Sequence, residues 1–379
     1  MSHSRSFEDF FQVVVVLYKT IGLEFFDQRS DQCGTKAMLP KLLFYAGFIN
    51  FNLLLVGELI YCLQALKSHA TILEATAVAP FIGLAVLADF MHLALVVHNN
   101  LFRRHLGELK HIFPARQAEQ LAYKLPQHES AMRRNTILFA SMCATTFTVF
   151  SLFPICQSAV RYWFLGATHF ERSFGFFIWY PYNATQSPLV YGATYLSQMH
   201  GIYMPSVVLV SSDLMFVALV TQICMHLECI AERLEQLGTS GEQESEGMLQ
   251  QLSDDVNRIF RFALLLNFVA TSLAICFTGF QTTSSSISDL FMYLIFLAAC
   301  LVQVFVLCYY GEELRTSLRV VSAAYDQNWF DSSEKYKKML CFVMMRSQKE
   351  AAIRPPTMPP ISFETYMKFY TLLRTIYQK

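Results

Sequence analysis

The sequence predicts an all-α membrane protein with seven transmembrane helices. Hydrophobic residues make up 54% of the 379 residues and charged residues only 15%, whereas a soluble domain carries about 25% charged residues. Six apolar stretches are long enough to span a bilayer, which takes roughly 20 residues, and a shorter one lies near the C-terminus. The seven stretches cover about 41–63, 72–98, 134–160, 194–225, 259–280, 289–310 and 361–378. Because lipid offers the backbone no hydrogen bonds, each is expected to be a helix.

The distribution of Lys and Arg gives the direction of the spans. Nineteen of these residues flank the spans on the side of the N-terminus, and 4 lie on the opposite side. Cytoplasmic flanks are enriched in Lys and Arg, so the N-terminus is expected in the cytoplasm and the C-terminus outside. The only Asn-x-Ser/Thr site, Asn183-Ala184-Thr185, falls on the predicted outer side, which makes Asn183 a candidate for glycosylation.

The predicted organisation alternates membrane and cytoplasmic segments. They are an N-terminal segment at 1–40, spans one to four at 41–225, a cytoplasmic helical extension at 226–258, spans five and six at 259–310, cytoplasmic anchor helices at 311–356 and the last helix at 357–379. Within the first segment, the apolar run 10–23 is too short to cross a bilayer. It is therefore expected to form an interfacial or a re-entrant helix.

Enzymatic and cofactor chemistry finds no support in the sequence. The histidines His92, His98, His200 and His226 stand alone rather than at metal-ligand spacing. No GxSxG, Walker loop or GxGxxG occurs, and ten scattered cysteines form no CxxC pair. The formal net charge is zero, which indicates no nucleic-acid partner. We therefore expect no catalysis, no cofactor and no metal.

Three carboxylates interrupt the apolar spans. Asp89 and Asp213 lie inside spans two and four, where a lone carboxylate is costly and normally faces the bundle interior. A structural, hydrogen-bonded role is therefore expected for both, rather than ion conduction. Glu58 lies near the outer end of span one, from where its side chain is expected to reach the membrane interface.

The last helix is too polar to face lipid on all sides. Its residues Glu364, Lys368, Thr371, Thr375 and Gln378 recur at spacings of four and three, which places them on one stripe. A polar stripe on a spanning helix faces water or protein. It therefore either lines a pore or packs as a polar seam against neighbouring helices.

The last 75 residues carry the most specific pattern. The end of span six reads CYYGEELRTSLRVVSAAYDQNWF, followed by KYKKMLCFVMMRSQKEAAIRPP and then PPISFETYMKFYTLLRTIY. Together these segments resemble the insect odorant receptors. The related gustatory receptors carry Thr-Tyr, five apolar residues and Gln-Phe; Thr365-Tyr366 is present here, but the Gln-Phe is absent.

The resemblance implies a function and partners. It implies the tuning subunit of an odorant-gated, non-selective cation channel, which assembles with co-receptor subunits as a heterotetramer around one pore. Such a subunit lies in the plasma membrane, in the dendrites of olfactory neurons, and binds a small neutral volatile molecule. No long insertion precedes span five, which suits a tuning subunit rather than a co-receptor.

The resemblance also implies two sites. A ligand pocket is expected in the outer half of the bundle, between spans two, three, four and six. The candidates there are Ile72, Ala75, Thr76, Phe81, Thr146, Phe147, Phe150, Phe153, Tyr195, Met199, Tyr203, Phe291 and Tyr293. The pore candidates are Lys368, Thr371, Leu372, Thr375 and Ile376, with Leu372 and Ile376 as the apolar constriction. The helix ends several residues earlier than the co-receptor's, so the register of the gate stays open.

Other membrane-protein classes share parts of this pattern. A G-protein-coupled receptor also has seven spans, but the charge bias places this N-terminus inside, and neither Asp/Glu-Arg-Tyr after span three nor Asn-Pro-x-x-Tyr occurs. A homomeric channel of the gustatory type is a further alternative. A secondary transporter would show inverted repeats and broken helices, and neither is evident.

Overall fold

The structure, a computed structural model, describes residues 5–23, 35–67, 72–97, 99–164, 166, 169–237, 265–282, 287–323 and 361–377. All regular elements within these ranges are helices. A 3-10 helix, Phe7–Phe11, precedes α1 (Gln12–Thr20), α2 (Thr35–Lys67), α3 (Ile72–Val97), α4 (Asn99–Ile112), α5 (Gln117–Ala122), α6 (Leu125–Trp163), α7 (Pro188–Leu237), α8 (Leu265–Thr282), α9 (Ile287–Ala323) and α10 (Phe363–Tyr377). The predicted all-α membrane fold is confirmed.

The spans follow the predicted order. In the described part of the chain, five helices are long and apolar enough to cross a membrane, namely α2, α6, α7, α8 and α9. Helix α3 has a shorter apolar stretch, Ala77–Leu93, and α10, with 15 residues, is the short seventh helix. These seven helices correspond to the seven stretches seen in the sequence.

Two of the spanning helices continue well past the inner ends of their apolar stretches, into the segments where the sequence predicts cytoplasmic helices. Helix α7 runs to Leu237 and α9 to Ala323, beyond apolar stretches that end near 225 and 310. At about 1.5 Å per residue, the 50 residues of α7 reach about 75 Å, against a hydrocarbon core of roughly 30 Å. The rest of the predicted cytoplasmic extension and anchor helices, 238–258 and 324–356, lies outside the described residues.

Helix α7 is the central helix of the bundle. It packs against α1, α2, α3, α6 and α9, and 89% of its most apolar 18-residue stretch is buried. Every residue from Leu214 to Val220 is at most 2% exposed. A helix that is apolar on all sides has to be surrounded by other helices, and α7 has this position.

The N-terminal segment packs against α7. Phe11, Val14, Tyr18 and Ile21 are almost fully buried on one face. Helix α1 then ends in a Schellman motif: Leu23 N–H donates to Tyr18 O at 2.9 Å and Gly22 N–H to Lys19 O at 3.1 Å. Gly22 has a φ of +82°, and a Cβ there would lie 2.3 Å from Pro40 O. Only glycine fits this turn.

Polar contacts hold the start of this segment to the helices between spans two and three. Arg5 pairs with the carboxylate of Glu129, and Gln120 Nε2 donates to Arg5 O at 2.9 Å. The far end of α1 reaches α7, where Tyr203 Oη donates to Thr20 Oγ1 at 2.7 Å. These contacts place α1 against α7, and the choice between an interfacial and a re-entrant helix stays a prediction.

Two valines on opposite faces of α1 provide a test of this packing. Val14 is 1% exposed and Val16 is 55% exposed. Val14→Ala should lower the free energy of unfolding by about 2 kcal/mol, because it removes two buried methyl groups and leaves a cavity. Val16→Ala should change it by less than about 0.5 kcal/mol. Thermal unfolding in detergent measures both, and equal effects would contradict the buried position of α1.

Candidate ligand-binding site

A cavity of about 180 Å³ lies among α2, α3, α6, α7 and α9. Its walls are mostly apolar, and a dry apolar cavity of about 150 Å³ in another protein is large enough for benzene. The lining residues are Phe51, Leu54, Leu55, Glu58, Phe81, Leu84, Ala85, Phe139, Cys143, Thr146, Phe147, Phe150, Phe176, Gly201, Ile202, Pro205, Ser206, Leu209, Val210, Phe296, Ala299, Cys300 and Gln303. The space therefore suits one small organic molecule.

Four phenylalanines form one side of the cavity. The ring centroid of Phe81 lies 5.1 Å from that of Phe176, 5.5 Å from Phe296 and 5.9 Å from Phe150. Phe150 and Phe296 are 5.8 Å apart in an edge-on arrangement. Edge-to-face pairs at such distances are favourable beyond the area they bury. The four rings come from α3, α6, the segment before α7, and α9, so they join separate elements around the ligand space.

The hydroxyl groups in the wall are already engaged within their own helices. Thr146 Oγ1 donates to Met142 O at 3.0 Å, and Ser206 Oγ donates to Ile202 O at 2.8 Å. The remaining polar side chains of the wall are the carboxyl of Glu58 and the amide of Gln303. A few placed polar groups in an apolar wall are the usual arrangement of a small-molecule site.

Gln303 connects the cavity to a buried polar network. Its Nε2 donates to Asp213 Oδ2 at 2.7 Å and to Asn267 Oδ1 at 3.2 Å. Asn267 Nδ2 donates to Asp213 Oδ1 at 3.0 Å, and Thr271 Oγ1 donates to Asn267 Oδ1 at 3.1 Å. The network joins α7, α8 and α9, and it gives Asp213 the hydrogen-bonded structural role expected of it. The side chain of Asp89 also has a hydrogen bond, to Asn52, while its Oδ1 is buried without a hydrogen-bond partner in the described structure.

The segment between α6 and α7 covers the outer side of the cavity. Trp179 N–H donates to Gly57 O at 3.1 Å, and Gln198 Nε2 donates to Tyr180 Oη at 3.0 Å. Burial raises the pKa of Tyr180 to about 12, so its hydroxyl stays neutral at physiological pH. The same segment carries Phe176 into the wall.

Four of the expected ligand-site residues line the cavity: Phe81, Thr146, Phe147 and Phe150. Six others lie outside its lining, namely Phe153, Tyr195, Met199, Tyr203, Phe291 and Tyr293. Tyr195 donates instead to the carbonyl of Ser151 and stacks on Phe174, while Phe291 is 56% exposed on the bundle surface. The side chains of Ile72, Ala75 and Thr76 lie outside the described residues.

The expected pocket included no residue of span one, yet this span supplies Phe51, Leu54, Leu55 and Glu58 to the cavity wall. The expectation that Glu58 reaches the interface was wrong, because the residue is only 6% exposed. The sequence did carry a signal for the buried position of Glu58, because a charged residue inside a span normally faces a cavity or a partner.

The last helix, α10, packs on α9 with one face and leaves its polar stripe open. Ile361 and Thr365 are buried, and the rings of Phe305 and Tyr366 lie 5.7 Å apart. A Cβ at Gly311 would lie 2.6 Å from Ile361 O, so this glycine allows the close approach.

The polar stripe itself is exposed at Glu364, Lys368 and Thr371. Lys368 Nζ lies 2.6 Å from Glu364 Oε1. The side chains of Leu372, Thr375 and Ile376 lie outside the described residues. The exposure of these three residues does not fit a polar seam packed inside the subunit.

Asn183, the glycosylation candidate, is exposed in the segment before α7. Its Oδ1 accepts hydrogen bonds from Thr185 N–H at 3.1 Å and from Thr185 Oγ1 at 2.9 Å. The described residues contain no group of three or more His, Cys, Asp or Glu side chains that could hold a metal ion.

The chain is similar to odorant receptors in sequence and in fold. The family model described as 7tm Odorant receptor matches residues 71–375. Odorant receptor 67c of Drosophila melanogaster is 41% identical, with 99% of this chain and 97% of that protein covered. Putative odorant receptor 92a of the same species is also 41% identical, with 98% and 96% covered.

Solved structures share the architecture. The insect olfactory receptor OR5 from Machilis hrabei superposes with a TM-score of 0.81 over 97% of this chain and 96% of that one. Its complex with eugenol gives 0.83 over 98% and 97%. The sequence identity to both is 13%, so this likeness concerns the fold.

Two phenylalanines of α9 test the cavity as the ligand site. Phe296→Ala should weaken binding of a single-ring ligand by about ten- to a hundredfold, because one aromatic contact contributes about 1–3 kcal/mol. Phe291→Ala, on the exposed face of the same helix, should leave affinity within about threefold of the unsubstituted protein. Competition binding on purified protein measures both. If Phe296→Ala leaves the affinity unchanged, the ligand binds elsewhere.

Proposed function

We propose, from the premise that this chain belongs to the odorant receptor family, that it is the odorant-binding subunit of an odorant-gated cation channel. The observation that carries this proposal is the apolar cavity lined by five of its helices. Four phenylalanine rings on one wall suit a small, largely apolar molecule. The chain is a multi-pass membrane protein.

The alternative functions are set aside on the same grounds. The family match extends over residues 71–375, and the 41% identical relatives are named odorant receptors. A G-protein-coupled receptor, the first alternative, finds no support in either comparison. The odorant receptor match also replaces the gustatory-type channel as the preferred assignment.

The pore proposal rests on the exposed stripe of α10. Glu364, Lys368 and Thr371 point away from the helices of their own subunit, so in a ring of subunits they would face a shared axis. The ion pair between Lys368 and Glu364 compensates the cation that would otherwise repel permeating cations. We propose that Leu372 and Ile376 form the constriction, with Thr375 beside them.

The partners follow from the incomplete pore. One copy of α10 encloses no channel, so a pore needs several subunits around one axis, and the family resemblance implies four. We propose a heterotetramer with co-receptor subunits, placed in the plasma membrane of olfactory sensory dendrites, with Asn183 glycosylated on the outer face. The ligand is a small neutral volatile molecule, and no nucleic acid is involved.

Electrophysiology tests the proposed function directly. Three groups of heterologous cells are compared: cells that express this chain together with a co-receptor, cells that express this chain alone, and cells that express the co-receptor alone. Each group is exposed to an odorant panel under voltage clamp. Odorant-evoked cation currents should appear only with both subunits. Currents that disappear when G-protein signalling is blocked, or no current for any odorant, would contradict an odorant-gated channel.

Two threonines of α10 test the pore stripe. Thr371 is exposed and Thr365 is 6% exposed against α9. Thr371→Cys should react with a water-soluble, charged thiol reagent and change the odorant-evoked current by at least about twofold, faster when odorant is present. Thr365→Cys should not react, because its neighbours exclude the reagent.

The unsubstituted chain is the necessary control for that experiment, since its Cys156 is already exposed. A response of Thr365→Cys with silence at Thr371 would mean that α10 is rotated in the assembled channel. Silence at both positions would remove this turn of the helix from the pore.

A further inference from the structure

Glu58 is the acidic side chain of the cavity lining. It is 6% exposed, and among the described residues its carboxyl has no hydrogen bond or ion pair. The carboxyl of Glu58 interacts electrostatically with Tyr180. A buried polar group without a partner is costly, because it has lost its hydrogen bonds to water. Such a group inside a ligand cavity is positioned for a partner supplied by the ligand.

The two polar side chains of the wall lie at different depths. Glu58 is about 14 Å along α2 from its outer end at Lys67, whereas Gln303 is about 24 Å along α9 from its outer end at Ile287. The Nε2 of Gln303 is already committed to Asp213 and Asn267. Gln303 thus has no open donor left, whereas the carboxyl of Glu58, near the outer side of the cavity, has none of its hydrogen-bonding capacity used.

We propose that Glu58 determines the ligand specificity of this receptor by hydrogen bonding the oxygen of a small neutral odorant, an alcohol or a carbonyl compound. The carboxyl accepts a hydrogen bond from a hydroxyl group and, when protonated, donates one to a carbonyl oxygen. The apolar part of the ligand then lies against the phenylalanine rings. This proposal rests on the proposed function, because it assumes that odorants occupy this cavity.

A neutral oxygen suits the site better than a basic nitrogen. A protonated amine would also pair with the carboxyl, but both charges would have to leave water for a mostly apolar cavity. The attraction within such a buried pair rarely exceeds the cost of desolvating its two ions. A hydrogen bond to a neutral ligand satisfies the carboxyl without burying a second charge.

Isosteric ligands separate these possibilities. The panel consists of sets of three compounds that share one carbon skeleton, either phenyl or linear, and end in a hydroxyl, an amine or a methyl group. Benzyl alcohol, benzylamine and ethylbenzene form one such set. Each compound is applied to the receptor co-expressed with its co-receptor. In the unsubstituted receptor, the alcohol of a set should activate at about tenfold lower concentration than the hydrocarbon, the difference expected for one hydrogen bond to a buried group.

Three substitutions complete the test. Glu58→Met, of similar size but without the carboxyl, should abolish the preference for the alcohol and make the hydrocarbon the equal or better agonist. Glu58→Gln keeps a hydrogen-bonding end and should retain the preference within about threefold. Glu171→Gln, at an exposed glutamate paired with Arg161 on the outer surface, should leave all concentrations unchanged. Surface labelling confirms that each variant reaches the membrane.

Each outcome decides the proposal. An unchanged alcohol preference in Glu58→Met overturns the proposal. It is also overturned if Glu58→Gln loses the alcohol preference as fully as Glu58→Met does, because that result would mean that the site requires a charge. An unsubstituted receptor that favours the hydrocarbons overturns it even if no variant reaches the surface. A receptor that no odorant activates contradicts the proposed function instead, so the two failures are distinct.

Discussion

The burial of helix α7 is the constraint on which the rest of the structure depends. From Leu214 to Val220 its side chains are in contact on every side, and α1, α2, α3, α6 and α9 all pack on it. In lipid, the hydrophobic effect does not drive helices together, so close packing and internal hydrogen bonds have to hold them. Displacement of α7 would expose all of these contacts together, including the buried face of the N-terminal segment.

The polar groups inside the bundle are consistent with that requirement. Asp213 on α7 receives hydrogen bonds from Asn267 on α8 and Gln303 on α9, which fixes the relative positions of three spans with one carboxylate. Gln303 also forms part of the cavity wall. The cavity and the polar network thus share a side chain, and a substitution of Gln303 would change the cavity and leave Asp213 with fewer partners.

The two sites differ in how far a single subunit completes them. The cavity is lined by five helices of this chain and the segment before α7, so its walls come from one subunit. The stripe of α10 is exposed, and α10 is held to its own subunit by α9, where Gly311 allows the backbone near Ile361 to approach closely. The same short helix therefore has one face packed within the subunit and another that is exposed.

The sequence by itself determined the helical membrane fold, the order of the seven spans and the family, because hydropathy and short motifs are local properties. It also placed Lys368 one turn from Glu364, as found, since helical spacing determines neighbours within one helix. Only the tertiary structure decided that Glu58 lines a cavity, that Tyr195 and Phe291 do not, and that α1 packs against α7. In a membrane, lipid-facing and protein-facing surfaces are both apolar, so periodicity identifies the faces of a helix without indicating which one meets a neighbour. That choice depends on contacts between residues far apart in the chain, and no local pattern records them.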